Sequence, residues 1–186
     1  MGPELSVTMD NLDRDVFPRR GHRVDAHAMI GFDPHEATSF NRAFVAWHGR
    51  WMLSQRVSLI GRGALGAARD DVPPHYRFYL GGPFEQPALN RRLIPLFGAS
   101  TNELSGTYLQ TVGVGVQLQI RDLWIVGGQW NAGWAGDEWS WPPEKLRPGF
   151  GLSVGREILF VPVLVAIGAR SVEGPYSVWV NLGYEF

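Results

Sequence analysis

The final nine residues, from Val178 to Phe186, alternate between apolar and more polar side chains with a period of two. The apolar parity comprises Val178, Val180, Leu182, Tyr184 and Phe186. Because successive side chains of a β-strand point to opposite faces, this segment predicts a strand with one continuous apolar face. A strand of this kind with an aromatic last residue is typical of an outer-membrane β-barrel, in which one face meets lipid and the other meets the lumen.

The same period of two returns along the chain, and its first three segments are each about ten residues long, which is the length that a tilted strand needs to cross a bilayer. The segments with this period are residues 24–32, 43–53, 57–65, 108–120, 124–134 and 150–154. The sequence therefore predicts an all-β fold, an antiparallel up-and-down transmembrane β-barrel of about eight to ten strands that forms one domain over residues 1–186. Pro162 interrupts the apolar run after residue 158 and predicts an edge, a bulge or a turn.

Polar and charged side chains occupy the second parity of these strands. Those predicted to face the lumen are Arg42, His48, Arg50, Arg62, Gln117 and Gln129. A soluble antiparallel barrel or sandwich, with this face simply solvated, is the alternative. The aromatic residues favour the membrane, because six of them lie on the apolar parity and several are near strand ends, where interfacial girdles belong. They are Trp47, Trp51, Tyr108, Trp124, Trp130 and Trp134.

Composition and motifs exclude several classes of function. The absence of Cys excludes disulfides and thiolate metal sites, and a net charge of −1 gives no reason to expect nucleic acid. No His lies two residues from a Ser, so we expect neither an enzyme nor a cofactor. A metal or acid–base role for His27 and His48 is a minor alternative. The start has no secretory signal, which in an exported protein indicates a fragment or a processed start.

Residues 69–106 form a long segment without sustained alternation, for which the sequence predicts a loop with no secondary structure of its own. Its distinctive residues are Phe78, Gly81, Gly82, Arg91 and Arg92. A segment of this length is seldom an idle connection, so we expect either an internal loop or a functional surface loop.

Five short motifs carry a resemblance to a known family. They occupy residues 13–21, 78–82, 102–106, 123–134 and 149–155. Residues 13–21, with Phe17 and Pro18, resemble a turn of the bacterial surface-antigen barrel of the BamA-like outer-membrane superfamily. Residues 78–82 resemble the strand end that precedes its barrel-internal loop. The last three motifs look most like the C-terminal barrel portion of its patatin-associated branch, which implies a patatin-like lipase domain preceding the barrel.

The chain departs from this pattern in two respects. Many relatives carry an Arg-Gly-Phe or Arg-Gly-Tyr tip on the internal loop, whereas residues 87–95 contain no Arg-Gly pair, and Arg91 or Arg92 would have to substitute. The resemblance also implies about sixteen strands, roughly twice what this chain can supply. An eight-stranded barrel is filled by its own side chains, so the long segment lies either outside or within a wider barrel completed by a second copy or a further segment.

The resemblance implies a Gram-negative outer-membrane protein, with the lipid bilayer and the outer-membrane assembly machinery as partners. The machinery is expected to read Val180, Leu182, Tyr184 and Phe186 as an assembly signal. The implied function is to anchor or help translocate a patatin-like lipase domain supplied elsewhere. The alternative is a stand-alone small barrel that binds ligands or partners through its long loop.

Overall fold

The computed structural model describes residues 2–14, 17–33, 38–69, 72–82, 93–121, 124–139, 145–158, 161–171 and 175–182. Within these ranges the chain forms strands and one short 3-10 helix, Pro74–Tyr76. The strands are β1 (Glu4–Asp10), β2 (Gly21–Asp33), β3 (Thr38–Met52), β4 (Val57–Ala68), β5 (Phe78–Leu80), β6 (Leu93–Ile94), β7 (Leu104–Gly106), β8 (Tyr108–Arg121), β9 (Trp124–Gly136), β10 (Arg147–Ile158), β11 (Val161–Ala169) and β12 (Ser177–Leu182).

Nine of these strands form one large sheet in the order β1-β2-β3-β4-β8-β9-β10-β11-β12. Every neighbouring pair is antiparallel, and each strand lies beside the one that precedes it among these nine in the chain. This confirms the predicted all-β, up-and-down architecture and strand number. Among the described residues, β1 and β12 each pair with a single neighbour.

The central strands are longer than the predicted ten residues. They contain 13 residues in β2, 15 in β3, 12 in β4, 14 in β8, 13 in β9 and 12 in β10. About 9 to 11 residues suffice for a tilted strand to cross a hydrocarbon core, so these strands are longer than such a crossing requires. Among the described residues, no helix has the length and apolar character needed to span a membrane.

The two faces of the sheet differ in chemistry as the alternation predicted. One face, called the outer face here, exposes apolar side chains such as Val114 (56%) and Val180 (64%). The opposite, inner face carries the polar parity and buries residues such as Gln117, which is 6% exposed. Pro162 lies inside β11 in unbroken register with β10, so a bulge or a turn, two of the three predicted alternatives, is wrong there. Pairing with β12 is described only from Val163 onward, and the missing N–H of Pro162 therefore interrupts no described pairing.

The sheet is strongly curved. Phe17, in the connection between β1 and β2, reaches the inner face of β10, where a Cβ placed on Gly155 would lie 2.9 Å from its ring. This contact spans the five places that separate β2 from β10 in the sheet order. A flat sheet would hold these strands about 24 Å apart, at about 4.8 Å per strand, so the contact requires a barrel-like curvature.

Aromatic side chains cluster on the outer face at the end of the sheet where β3 turns into β4. The rings of Trp47 and Trp51 lie 5.6 Å apart, and His22 of β2 stacks on Trp47 at 6.1 Å. Gly49 and Gly61 provide the space for these rings, because a Cβ on either would lie within 3 Å of the indoles. The cluster has the position and composition of an interfacial aromatic girdle.

Candidate functional site

The inserted segment, residues 69–106, has secondary structure of its own, so the expectation of an unstructured loop is wrong. Its strand β5 pairs in parallel with β6 and antiparallel with β7 to form a second, three-stranded sheet. Phe78 and Leu80 of β5 are fully buried. Gly81 and Gly82 follow with φ of 144° and 84°, a backbone that glycine adopts readily. The alternation signal failed because strands of two or three residues are too short to show a period.

The inserted segment packs on the inner face of the large sheet, and glycines of that face make the contact possible. A Cβ on Gly66 of β4 would lie 2.5 Å from the ring of Phe78. A Cβ on Gly133 of β9 would lie 2.8 Å from Leu80. Any larger residue at these two positions would collide with the segment. The two glycines therefore leave the space that its apolar side chains occupy.

Phe97 packs closely against two further glycines of the inner face. A Cβ on Gly151 of β10 would lie 2.1 Å from the Phe97 ring, and one on Gly168 of β11 would lie 2.9 Å from it. Asn131 of β9 fixes the backbone at the same point. With its amide suitably oriented, its oxygen accepts from the Phe97 N–H at 2.8 Å, and its nitrogen donates to the Gly149 carbonyl at 2.9 Å.

Charged groups fasten the ends of the inserted segment to neighbouring connections. Arg77 forms an ion pair with Asp137, which follows β9, at 3.3 Å. The same carboxylate accepts a hydrogen bond from the Thr107 N–H at 3.1 Å. Glu103 pairs with Arg170, which follows β11. The segment is thus held by polar contacts at its edges and by apolar contacts at its centre.

All six residues predicted to face the lumen lie on the inner face, but they fall into three groups. Arg42 is buried with its guanidinium 4.3 Å from the centre of the Phe78 ring. Arg50 donates to Gln117 at 3.4 Å, near the turn between β3 and β4. His48, Arg62 and Gln129 line a cavity of about 180 Å³ between the sheet and residues 93–97. Within the described ranges, no three His, Asp or Glu side chains cluster as a metal site would require.

The connection between β1 and β2 is organised by one carboxylate. Asp13 accepts hydrogen bonds from the backbone N–H groups of Arg19 (2.9 Å) and Arg20 (3.2 Å). Partial burial acts to raise the pKa of Asp13, but these bonds and the charge of Arg14 outweigh it and leave the pKa below 3.8. Arg19 also donates to the carbonyls of Ser54 and Gln55 in the turn between β3 and β4.

The remaining predicted residues have mixed outcomes. Val180 and Leu182 lie on the outer face and are 64% and 71% exposed. This is the face on which the assembly-signal hypothesis places them. Tyr184, Phe186, Arg91 and Arg92 lie outside the described residues. Their predicted roles stay predictions.

Sequence reasoning missed Phe97, Asn131 and Asp137, which hold the inserted segment. Asn131 and Asp137 gave no local signal, because Phe97, Thr107 and Arg77, which they contact, lie 30 or more residues away in the chain. The glycines opposite Phe97 did give one. Gly149, Gly151 and Gly155 share the inner parity of β10, and a run of glycine on one face of a strand indicates a close approach by another backbone or side chain.

A curved, up-and-down antiparallel sheet with an apolar outer face and an occupied polar inner face defines the class of outer-membrane β-barrel proteins. The family comparison agrees with this class. The Omp85 superfamily domain model matches residues 3–158, and the chain belongs to this superfamily of outer-membrane proteins. Members of the superfamily work with the outer-membrane assembly apparatus or with partner domains. A comparison with curated proteins finds no match.

Proposed function

We propose that this chain is the membrane-embedded sheet of a surface-antigen-type barrel in a Gram-negative outer membrane. Its function is to anchor, or to help translocate, a patatin-like lipase domain supplied elsewhere. The observation that carries this proposal is the inserted segment packed on the inner face by Phe78, Leu80 and Phe97. Such a segment obstructs the lumen, and it is well placed to regulate what passes.

The filled inner face also argues for a barrel wider than eight strands. An eight-stranded barrel has room only for its own side chains, yet the inner face here carries a second sheet. Unpaired backbone groups at the edges of a sheet cost several kcal/mol each in lipid. We therefore propose that β1 and β12 pair with a second copy of the chain or with further strands.

Cysteine labelling tests the position of the inserted segment, since the chain has no Cys of its own. Ala99 is 1% exposed and Thr101, two residues on, is exposed. In the folded chain in detergent, Ala99→Cys should react with a maleimide at least about tenfold more slowly than Thr101→Cys, because reaction requires local opening. If Ala99→Cys instead reacted at the same rate in the folded and the unfolded chain, the segment would be a displayed loop, and this result would favour the stand-alone barrel.

The lipase partner is tested separately, at the gene and by activity. An upstream in-frame module with Gly-x-Ser-x-Gly is expected, and its removal should abolish lipase activity at the cell surface. The folded chain alone should hydrolyse no lipid ester, because we propose that it has no catalytic role. A locus encoding only a signal peptide before the barrel would contradict the anchoring proposal and leave the barrel assignment intact.

A further inference from the structure

Three basic residues lie side by side on the inner face. Arg23 of β2 is in register with His48 of β3, and His48 is in register with Arg62 of β4. Directly opposed residues in an antiparallel sheet have Cβ atoms about 5 Å apart, so Arg23 and Arg62 lie about 10 Å apart with His48 between them. Each of the two guanidinium groups is partly withdrawn from water and is therefore stabilised by a counter-charge.

The described acidic groups neutralise only one end of the row. Arg23 forms ion pairs with Asp25 at 2.8 Å and with Asp10 at 3.9 Å. At the other end, the Nε of Arg62 is buried without a hydrogen-bond partner. Gly113, the neighbour of Arg62 on β8, has no side chain to offer. No described residue forms an ion pair with Arg62, so its guanidinium retains unused donors.

The cavity of about 180 Å³ opens along the whole row, since Arg23, His48 and Arg62 all line it. Asp25 lines it too, but its carboxylate is already paired with Arg23. Arg62, His48, Thr111 and Gln129 line its sheet side, and residues 93–97 of the inserted segment line the opposite side. It is smaller than the 300 Å³ or more typical of drug-sized ligands. A small ion with a few polar atoms fits the volume.

We propose that this cavity binds a small oxyanion, the carboxylate or phosphate group of a solute, through the guanidinium of Arg62. A planar guanidinium presents paired N–H donors that match two oxygens of a carboxylate or phosphate. Thr111 and Gln129 supply neutral donors at the same cavity, and the bound negative charge compensates that of Arg62. The occupied cavity couples the inserted segment to the sheet, because both form its walls.

The test is the thermal unfolding of the full chain, refolded in detergent, against increasing sodium phosphate or sodium acetate at constant ionic strength. An anion that binds only the folded state raises the unfolding temperature in a saturable way. We expect such a rise in the wild type, and Arg62→Gln should weaken the apparent affinity about tenfold or more, since it removes a charge-assisted bond. A response to phosphate alone identifies a phosphoryl site, and a response to both anions identifies a general oxyanion site.

Arg50→Gln is the matched control. It removes the same charge from the same inner face, but Arg50 lies outside the cavity and donates to Gln117. This variant should titrate like the wild type, and Arg62→Lys should retain partial binding if Arg62→Gln fails to fold. Identical titrations for the wild type and Arg62→Gln would overturn the proposal. So would the absence of a saturable rise in the unfolding temperature of the wild type with either anion up to about 50 mM.

Discussion

Gly151 and Gly128 lie on adjacent strands of the same sheet, yet they meet opposite surroundings. A Cβ on Gly151 would lie 2.1 Å from the Phe97 ring on the inner face. A Cβ on Gly128 would meet only a methyl group of Leu152, at an ordinary contact distance of 3.5 Å, on the outer face. The requirement for glycine is thus set by the inserted segment and not by the strand itself.

Gly151→Ala should therefore destabilise the folded chain by about 1–3 kcal/mol, the usual penalty for overpacking a close contact. Urea unfolding in detergent micelles, followed by tryptophan fluorescence, measures the change. Gly128→Ala is the control and should change the free energy of unfolding by less than about 0.5 kcal/mol.

A double-mutant cycle assigns the effect to Phe97. If the ring is what the new methyl group strikes, Phe97→Ala should remove most of the additional cost of Gly151→Ala. Additive effects of the two substitutions would place the strain elsewhere in β10.

Asp13→Asn should lower the stability of the chain at neutral pH by about 1 kcal/mol, because it replaces charge-assisted bonds to backbone N–H groups with neutral ones. The folded-state pKa of Asp13 is depressed, so its contribution is present above pH 3.8 and is lost as the pH falls through the folded-state value. The difference between wild type and variant should thus vanish in acid. Glu138→Gln, which changes an exposed carboxylate in another connection, is the control and should change the free energy of unfolding at neutral pH by less than about 0.5 kcal/mol.

At the scale of the strand, alternation alone was enough to assign the faces of the sheet. Long strands such as β8 repeat the pattern six or seven times, which makes the period robust. The strands of the inserted segment were not predicted, because they depend on contacts with distant residues such as Gly66 and Gly133 and not on a local sequence pattern. The predicted strands are also shorter than the observed ones, because polar residues at the ends of a strand carry no hydrophobic signal.

Labels on the two parities should report different surroundings in lipid. Quenching by brominated acyl chains should reach probes at Val114, Val126 and Val180, which lie on the outer face. Probes at Gln117, Gln129 and Asn181, on the inner face, should be unaffected. Equal exposure of the two sets to water would contradict a membrane-spanning sheet and restore the soluble alternative.

At the scale of the whole molecule, the places in the chain of the glycines that contact the inserted segment have a consequence for the order of assembly. The segment ends at Gly106, but Gly133, Gly149, Gly151 and Gly168, which receive it, all come later in the chain. Phe78 already has Gly66 of β4 to pack on, but Leu80 and Phe97 lack their contacts until β9, β10 and β11 are in place. Packing of this middle part of the chain is therefore completed only after the strands that follow it have formed, and an assembly intermediate that lacks its final strands leaves the Phe97 ring exposed.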